Sequence, residues 1–307
     1  MERQPVIIDW GSFMLRVGFT EQRQPKHLIP ITHPESSLLS PEEWYRFVTP
    51  YLRLCWDRLM SSPCSRRVVI LHPPLMPRNW NSAISQSLWN LGVPAIVFVC
   101  FLQTPPLALQ WERGMVVHVG KTECYCVAHA DGTMLRYTLQ ISDSGYKAVV
   151  EDTEKICSSW TKEMDNAWIN ESNPNSLIQT IAQCLQSCPT DVRKDVASNI
   201  VFCGETTMIV PMLPHKVIDR LRSLLRSDAP EMEEFTSELT AFPTHWEKLA
   251  PLHSSITART TGPYRPDMVS WVGASLWATI WHRHDEDNEH IPWVHAPTDE
   301  RSTKSTP

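Results

Sequence analysis

Apolar and polar residues follow two different patterns along the chain. Some stretches have the pattern of strands, others have the pattern of helices, and the two kinds of stretch alternate. Short, almost wholly apolar runs are typical of strands that are buried on both faces of a sheet. Such runs lie at residues 66–71, 93–102, 116–119 and 199–203. Apolar residues spaced three and four apart indicate amphipathic helices. These lie at residues 40–59, 78–91, 177–188 and 216–225, and a buried helix is predicted at 268–281. The alternation predicts an α/β fold.

Residues at the ends of these stretches refine the prediction for the first long helix. Ser40, Pro41 and Glu43 form the pattern of a capping box and predict its first turn. Pro50 lies inside the same helix and lacks the backbone N–H that the helix needs. We therefore expect a kink or a break near Val48.

Turn residues predict two β-hairpins. Gly11-Ser12 separates a short strand from a second one, and Asp131-Gly132 is a dipeptide that readily adopts the positive φ angles of a hairpin turn. Two halves of similar hairpin and α/β character suggest a duplication. The predicted domains are a first lobe at 1–142, a second lobe at 143–281 and a polar tail at 282–307.

Polar stretches are interpreted as solvated connections. Residues 164–176 are rich in asparagine and predict a surface connection, and the acidic residues 228–238 predict a solvated loop. The histidines and acids between residues 282 and 295 could bind a metal, but no rigid scaffold fixes their geometry. A solvated tail is the preferred interpretation, and no metal site is expected.

Composition and charge narrow the class of protein. The 307 residues are 42% hydrophobic and carry a net charge of −6, which gives no general attraction to nucleic acid or an anionic membrane. The longest apolar run, at residues 93–102, is about half of what is needed to span ~30 Å of hydrocarbon. The first residues lack a secretory signal, and the nine cysteines form no CxxC pair. These features predict a cytoplasmic protein with reduced thiols and no membrane insertion.

The stretch "VVHVGKTECY" ends a strand in the three letters that also end a nucleotide-binding P-loop. A P-loop needs a glycine five residues before Gly120, where Met115 stands. It also continues into a helix, whereas the residues after Thr122 alternate toward the turn at Asp131. The pattern favours a hairpin over a P-loop.

Five stretches, in order, resemble the actin superfamily. Asp9-Trp10-Gly11-Ser12, with Arg16, is similar to its first phosphate loop, and residues 116–132 are similar to its second phosphate hairpin. The other three resemble a strand, proline-rich turn and helix, an adenosine loop and a C-terminal helix, at residues 66–80, 199–208 and 270–277. This resemblance implies duplicated ribonuclease-H-like domains. The short links at residues 30–39 and 145–199 imply shortened outer subdomains.

Within the superfamily, residues 66–77, 185–208 and 291–293 most resemble an actin-related subunit of the dynactin complex. The implied role is non-catalytic capping of the pointed end of a short filament. The implied partners are actin-related filament subunits, pointed-end subunits and, indirectly, dynein. The implied location is the cytoplasmic cytoskeleton. Two alternatives remain: an ATP-binding ATPase of the superfamily, or a nuclear actin-related subunit of a chromatin-remodelling complex.

The resemblance also identifies the residues of a degenerate nucleotide site. The residues compatible with the family pattern are Asp9, Ser12, Arg16, Gly120, Lys121, Gly204, Thr206 and Thr207. The positions that argue against ATP hydrolysis are Phe13, Phe101, His118 and Glu205, together with Lys121 in place of an acid. Hydrolysis needs acids to hold Mg²⁺ and its waters, and a polar group to orient the attacking water. We therefore expect no catalytic residues and no cofactor, with residual ATP or ADP binding as the alternative.

Overall fold

Two six-stranded sheets, each accompanied by helices, form the framework of two compact units. The structure is a computed structural model and describes residues 4–32, 34, 39–149, 160–226, 244–284 and 293–295. The first unit is built from Met1–Phe101 and Ala274–Pro307, and the second from Leu102–Gly273. The combination of strands and helices confirms the predicted α/β class.

The strands and helices follow one another closely along the chain. The strands are β1 (Val6–Trp10), β2 (Met14–Phe19), β3 (His27–Pro30), β4 (Val68–His72), β5 (Ala95–Cys100), β6 (Gly114–Val119), β7 (Cys124–Ala130), β8 (Thr133–Met134), β9 (Gln140–Ser142), β10 (Ile200–Cys203), β11 (Ala258–Arg259) and β12 (Val294–His295). The helices are α1 (Pro41–Leu59), α2 (Arg78–Asn90), α3 (Pro105–Leu109), α4 (Lys162–Met164), α5 (Leu177–Ser187), α6 (Thr190–Ala197), α7 (Glu205–Ile209), α8 (Leu213–Leu225) and α9 (Val269–His284). A π-helical turn at Asp165–Ile169 follows α4.

The first sheet has the strand order β12-β5-β4-β1-β2-β3. Strands β1, β4 and β5 are parallel, whereas β1, β2 and β3 form an antiparallel meander. Ile7, Ile8, Val69 and Ile70 are fully buried, as expected for central strands covered on both faces. The N-terminal hairpin and the two apolar strands are thus confirmed.

Helix α1 begins where the sequence predicts and continues past Pro50. Ser40 accepts a hydrogen bond from the Glu43 N–H, and the Glu43 carboxylate accepts one from the Ser40 N–H, which completes the capping box. Of the kink or break predicted near Val48, the break is wrong, because the helix is continuous to Leu59. Pro50 has no N–H to donate to the Arg46 carbonyl, but both residues are exposed, so this carbonyl can bond to water. The opposite face of the helix is buried in the core.

The second sheet repeats the topology of the first. Strands β6 and β7 form an antiparallel hairpin, and β7 also pairs with β8 and β9. Strand β10 lies parallel to β6, and β11 lies parallel to β10. Asp131 and Gly132 have φ angles of 51° and 74°, which confirms the predicted turn between β7 and β8. One hairpin and two parallel strands per unit agree with the predicted duplication.

The limits of the compact units differ from the predicted boundaries at residues 142 and 281. The first division falls after Phe101, because the β6–β7 hairpin pairs with β10 in the second sheet. The second division falls after Gly273, inside α9. The predicted polar tail at 282–307 also includes β12, which pairs antiparallel with β5. The acidic loop predicted at 228–238 lies outside the described residues.

The predicted surface connection at 164–176 contains a core residue. Trp168 is fully buried, and its indole N–H donates to the Ser144 carbonyl at 2.7 Å. The polar residues that suggested a loop make local turns, since the Asn170 side-chain oxygen accepts from the Ser172 N–H. The prediction from sequence missed this core residue, because most residues around Trp168 are polar and together they indicate a surface segment.

The cysteines that the structure describes are free thiols, as predicted. Burial raises the pKa values of Cys55, Cys124 and Cys203 to about 12. Within the described part of the chain, no helix combines the length and apolar character that crossing a membrane requires.

Acid should destabilise the second unit through His129. This side chain is 1% exposed in β7, and burial lowers its pKa to about 4, although a hydrogen bond with the Leu102 backbone opposes the shift. Between pH 4 and 6.5 the unfolded chain binds the extra proton, so stability falls as the pH falls through this window. We expect a loss of about 3 kcal/mol from this residue.

Urea unfolding from pH 7 to pH 4 would measure this loss. His129→Gln should show a shallower pH dependence than the wild type, whereas His253→Gln, at an exposed histidine, should keep the wild-type dependence. Equal pH dependence in the wild type and His129→Gln would contradict the assignment.

Candidate functional site

The first predicted loop is a tight turn between β1 and β2. Gly11, Ser12 and Phe13 connect the strands, and the Gly11 N–H donates to the Met14 carbonyl at 3.1 Å. The Phe13 carbonyl accepts from the Ile31 N–H at 3.0 Å, so the turn is also fixed to the segment after β3. The backbone of this loop is therefore held by the sheet of its own unit.

Asp9 and Arg16 form an ion pair beside this turn. They are directly opposite each other in the β1–β2 register, and an Arg16 nitrogen lies 3.3 Å from an Asp9 carboxylate oxygen. Their side chains are only 9% and 4% exposed, respectively. A buried charge requires a partner, and each of these residues supplies one to the other. The pair accounts for both residues without a ligand.

Phe101 follows the last residue of β5 and is buried. Its side chain has no atom that can donate or accept a hydrogen bond, so it cannot orient a water molecule. The structure therefore provides no replacement at this position for the polar group that hydrolysis needs.

The second predicted loop is the turn of the β6–β7 hairpin. The Gly120 N–H donates to the Glu123 carbonyl at 3.0 Å, which closes a turn over residues 120–123. Strand β7 follows the turn, as the sequence pattern indicated. This strand contradicts the P-loop alternative, because a P-loop leads into a helix.

The Gly120 carbonyl joins three segments of the second unit. It accepts hydrogen bonds from the Tyr146 N–H at 3.1 Å and from the Thr206 hydroxyl at 2.7 Å. The next residue repeats the contact, since the Lys121 carbonyl accepts from the Lys147 N–H at 2.8 Å. The hairpin turn, the segment at 145–148 and the start of α7 thus lie against one another.

Gly204 turns the chain from β10 into α7. Its φ angle of 97° is one that side chains rarely permit, and a Cβ atom there would lie 2.5 Å from the Val119 carbonyl oxygen. Thr207, three residues later, donates its hydroxyl to the Cys203 carbonyl at 3.0 Å. Gly204, Thr206 and Thr207 therefore have structural roles in this turn.

His118 lies on β6, opposite Tyr125 and next to Cys203 of β10. Its Nδ1 atom is 3.7 Å from the Cys203 sulfur, and the rings of His118 and Tyr125 are 6.2 Å apart. A neutral or cationic imidazole cannot replace a carboxylate as an anionic ligand for Mg²⁺-bound water. His118 therefore supplies no negative charge to a metal site.

Charges at the hairpin turn form a compact group. Burial lowers the pKa of Lys121, the charge of Lys147 lowers it further, and the charge of Glu205 opposes both effects. Lys121 and Glu205 are half-buried, and Lys147 is exposed. Lys121, Lys147 and Glu205, hereafter the lysine–glutamate cluster, therefore lie on the three segments that meet here, and Glu123 lies in the same hairpin turn as Lys121.

The predicted residues fall into one group in each unit. Asp9, Ser12, Phe13 and Arg16 lie at the first hairpin, with Phe101 at the end of β5 in the same sheet. The second group consists of His118, Gly120, Lys121, Gly204, Glu205, Thr206 and Thr207. The sequence-based prediction missed Gly145 and Lys147. The only local signal was a glycine before "YK", and no pattern connected it to a hairpin more than twenty residues earlier.

A family model described as Actin matches residues 152–285. The match supports membership of the actin superfamily. The matched stretch contains β10, Gly204, α7 and α8, which carry part of the second group. Together with the repeated sheet topology, it shows that the fold is α/β and actin-like.

The actin-like fold implies a Mg²⁺–nucleotide, and the residues present do not fit it. Asp9 is paired with Arg16, His118 and Lys121 carry no negative charge, and the Glu205 carboxylate would repel phosphate. Among the described residues, no group of three or more histidine, cysteine, aspartate or glutamate side chains could hold a metal ion. The two groups of residues therefore support no chemical step that runs through a metal-bound nucleotide.

The effect of Glu205 on Lys121 can be measured directly. Glu205→Gln removes the anion that favours the charged form of Lys121, so we expect the pKa of Lys121 to fall below its wild-type value. Side-chain ¹⁵N chemical shifts of labelled lysines, followed against pH, give this pKa, and the resonance missing in Lys121→Arg provides the assignment.

The matched control is Glu123→Gln, which removes a carboxylate charge from the hairpin turn that carries Lys121, whereas Glu205 lies in α7. We expect it to shift the Lys121 pKa less than Glu205→Gln does. An unchanged or raised Lys121 pKa in Glu205→Gln would show that the two groups do not interact.

Proposed function

We propose that this protein is a non-catalytic, actin-related structural subunit that caps the pointed end of the dynactin filament and supports dynein–dynactin cargo transport. The observation that carries the proposal is the short link between the first hairpin sheet and its helix. Strand β3 ends at Pro30 and α1 begins at Pro41. In actins a small outer subdomain lies in this interval.

The short link supports a terminal position in a filament. Head-to-tail filaments grow because each subunit presents one surface to the previous subunit and a complementary one to the next. A subunit that keeps the first surface and lacks part of the second can bind an end and stop further addition. Because the link at 31–40 is short, the protein lacks part of one such surface.

The altered site supports the absence of catalysis. Phe101 cannot orient water, and His118 and Lys121 offer no anionic ligand for a metal. Asp9, which matches the family pattern, is buried with Arg16. These four observations are all accounted for by a protein that keeps the fold for assembly and performs no phosphoryl transfer.

The proposed partners follow from this role. They are actin-related filament subunits and pointed-end subunits of dynactin, with dynein as an indirect partner. The proposed location is the cytoplasmic cytoskeleton, without nucleic-acid binding or membrane insertion. The net charge of −6 agrees with partners other than polyanions. The described residues favour neither the ATPase alternative nor the nuclear chromatin-remodelling alternative.

Affinity purification of the tagged full-length chain, followed by mass spectrometry, tests this proposal. We expect filament and pointed-end subunits of dynactin to be recovered in near-constant ratios. A useful control is Gly145→Val, because a Cβ atom at this glycine would lie 2.5 Å from the Thr122 backbone and should disrupt the unit. Partners recovered with the wild type and lost with this variant require the folded chain.

Two results would contradict the assignment. One is recovery of a chromatin-remodelling complex without dynactin subunits, which would support the nuclear alternative. The other is recovery of neither complex from cells that contain intact dynactin. In both cases the actin-like fold would stand.

A further inference from the structure

The lysine–glutamate cluster has a feature that an unused phosphate loop does not require. A loop kept only for its turn needs its glycines and its backbone hydrogen bonds, which Gly120, Gly145 and Gly204 satisfy. It does not need two lysines and a glutamate on three separate segments. The charged side chains therefore call for their own explanation.

Backbone contacts force the two lysines close together. The Lys147 N–H donates to the Lys121 carbonyl at 2.8 Å, and a Cβ atom on the nearby Gly145 would lie 2.7 Å from the same carbonyl oxygen. The 145–148 segment thus packs directly on the hairpin turn. The charge of Lys147 lowers the pKa of Lys121, as expected for like charges that repel each other, and a nearby anion offsets the repulsion.

The start of α7 supplies that anion. The Thr206 hydroxyl is fixed to the Gly120 carbonyl at 2.7 Å, which places the preceding residue, Glu205, beside the turn that carries Lys121. Gly204 permits this approach, because any side chain there would collide with the Val119 carbonyl. The main chain of Glu205 therefore lies beside this turn, and the charge of its carboxylate favours the charged form of Lys121.

We propose that the Glu205 carboxylate is a built-in counter-anion that competes with external phosphate groups for the Lys121–Lys147 pair. The latent ligand class is a phosphate or pyrophosphate group bound without Mg²⁺. In the wild-type chain the Glu205 carboxylate prevents phosphate binding, and removal of its charge permits it. This property belongs to the second unit and is independent of assembly into dynactin.

Calorimetric titration with sodium pyrophosphate, in EDTA and at low ionic strength, tests the competition. We expect Glu205→Gln to bind pyrophosphate at least tenfold more tightly than the wild type. Glu123→Gln, which makes the same change in net charge on the turn that carries Lys121, should remain at the wild-type level. The double variant Glu205→Gln/Lys121→Gln should lose the gain, because it removes one of the two cations.

Several outcomes would overturn the proposal. These are equal pyrophosphate affinity in the wild type and Glu205→Gln, an equal gain in Glu123→Gln, or a gain that survives in the double variant. Far-UV circular dichroism and the thermal midpoint verify that each variant is folded. Glu205→Ala removes the same charge through a different side chain and should reproduce the gain.

A parallel titration with sodium ADP in EDTA separates the phosphate groups from the nucleoside. The cluster recognises only negative charge, so ADP should bind Glu205→Gln no more tightly than pyrophosphate does. Tighter ADP binding would contradict the proposal, since it would assign recognition to the nucleoside. Neither result bears on the proposed function, which is tested separately by the recovery of dynactin subunits from cells.

Discussion

The carbonyl of Gly120 is the point on which the arrangement of the second unit depends. It accepts hydrogen bonds from Tyr146 and Thr206, and so it joins a hairpin turn, a segment after β9 and the turn into α7. The approach is close enough that Gly145 and Gly204 have no space for a Cβ atom. Gly120 and Gly204, which resemble parts of a phosphate site, thus have a role in backbone packing.

The same principle applies in the first unit, where Asp9 and Arg16 neutralise each other in a buried pair. Removal of one partner would leave an uncompensated buried charge, which is strongly destabilising. Three further predicted site positions carry no acid, because Phe101 is apolar, His118 is an imidazole and Lys121 is a cation. Several of the predicted site residues in each unit therefore make contacts within the protein that account for their presence.

Sequence periodicity predicted most strands and helices, because burial of β4, β5 and β10 leaves continuous apolar runs. It failed where distant contacts decide the outcome. Pro50 is tolerated because the buried face of α1 holds the helix together, and Trp168 is buried because Ser144 accepts its N–H. The turn at Asp131-Gly132 was predictable from its turn residues. Lys147 was not, because only the folded 145–148 segment brings it to Lys121.

Phosphate release from ATP, measured with purified protein in the presence and absence of Mg²⁺, tests most directly whether the scaffold has lost its chemistry. We expect the rate with Mg²⁺ to equal that of a buffer blank, since no described residue replaces the missing metal-linked acids or the water-orienting group. Mg²⁺-dependent turnover above the blank, abolished by Asp9→Asn in a variant that remains folded, would contradict this account.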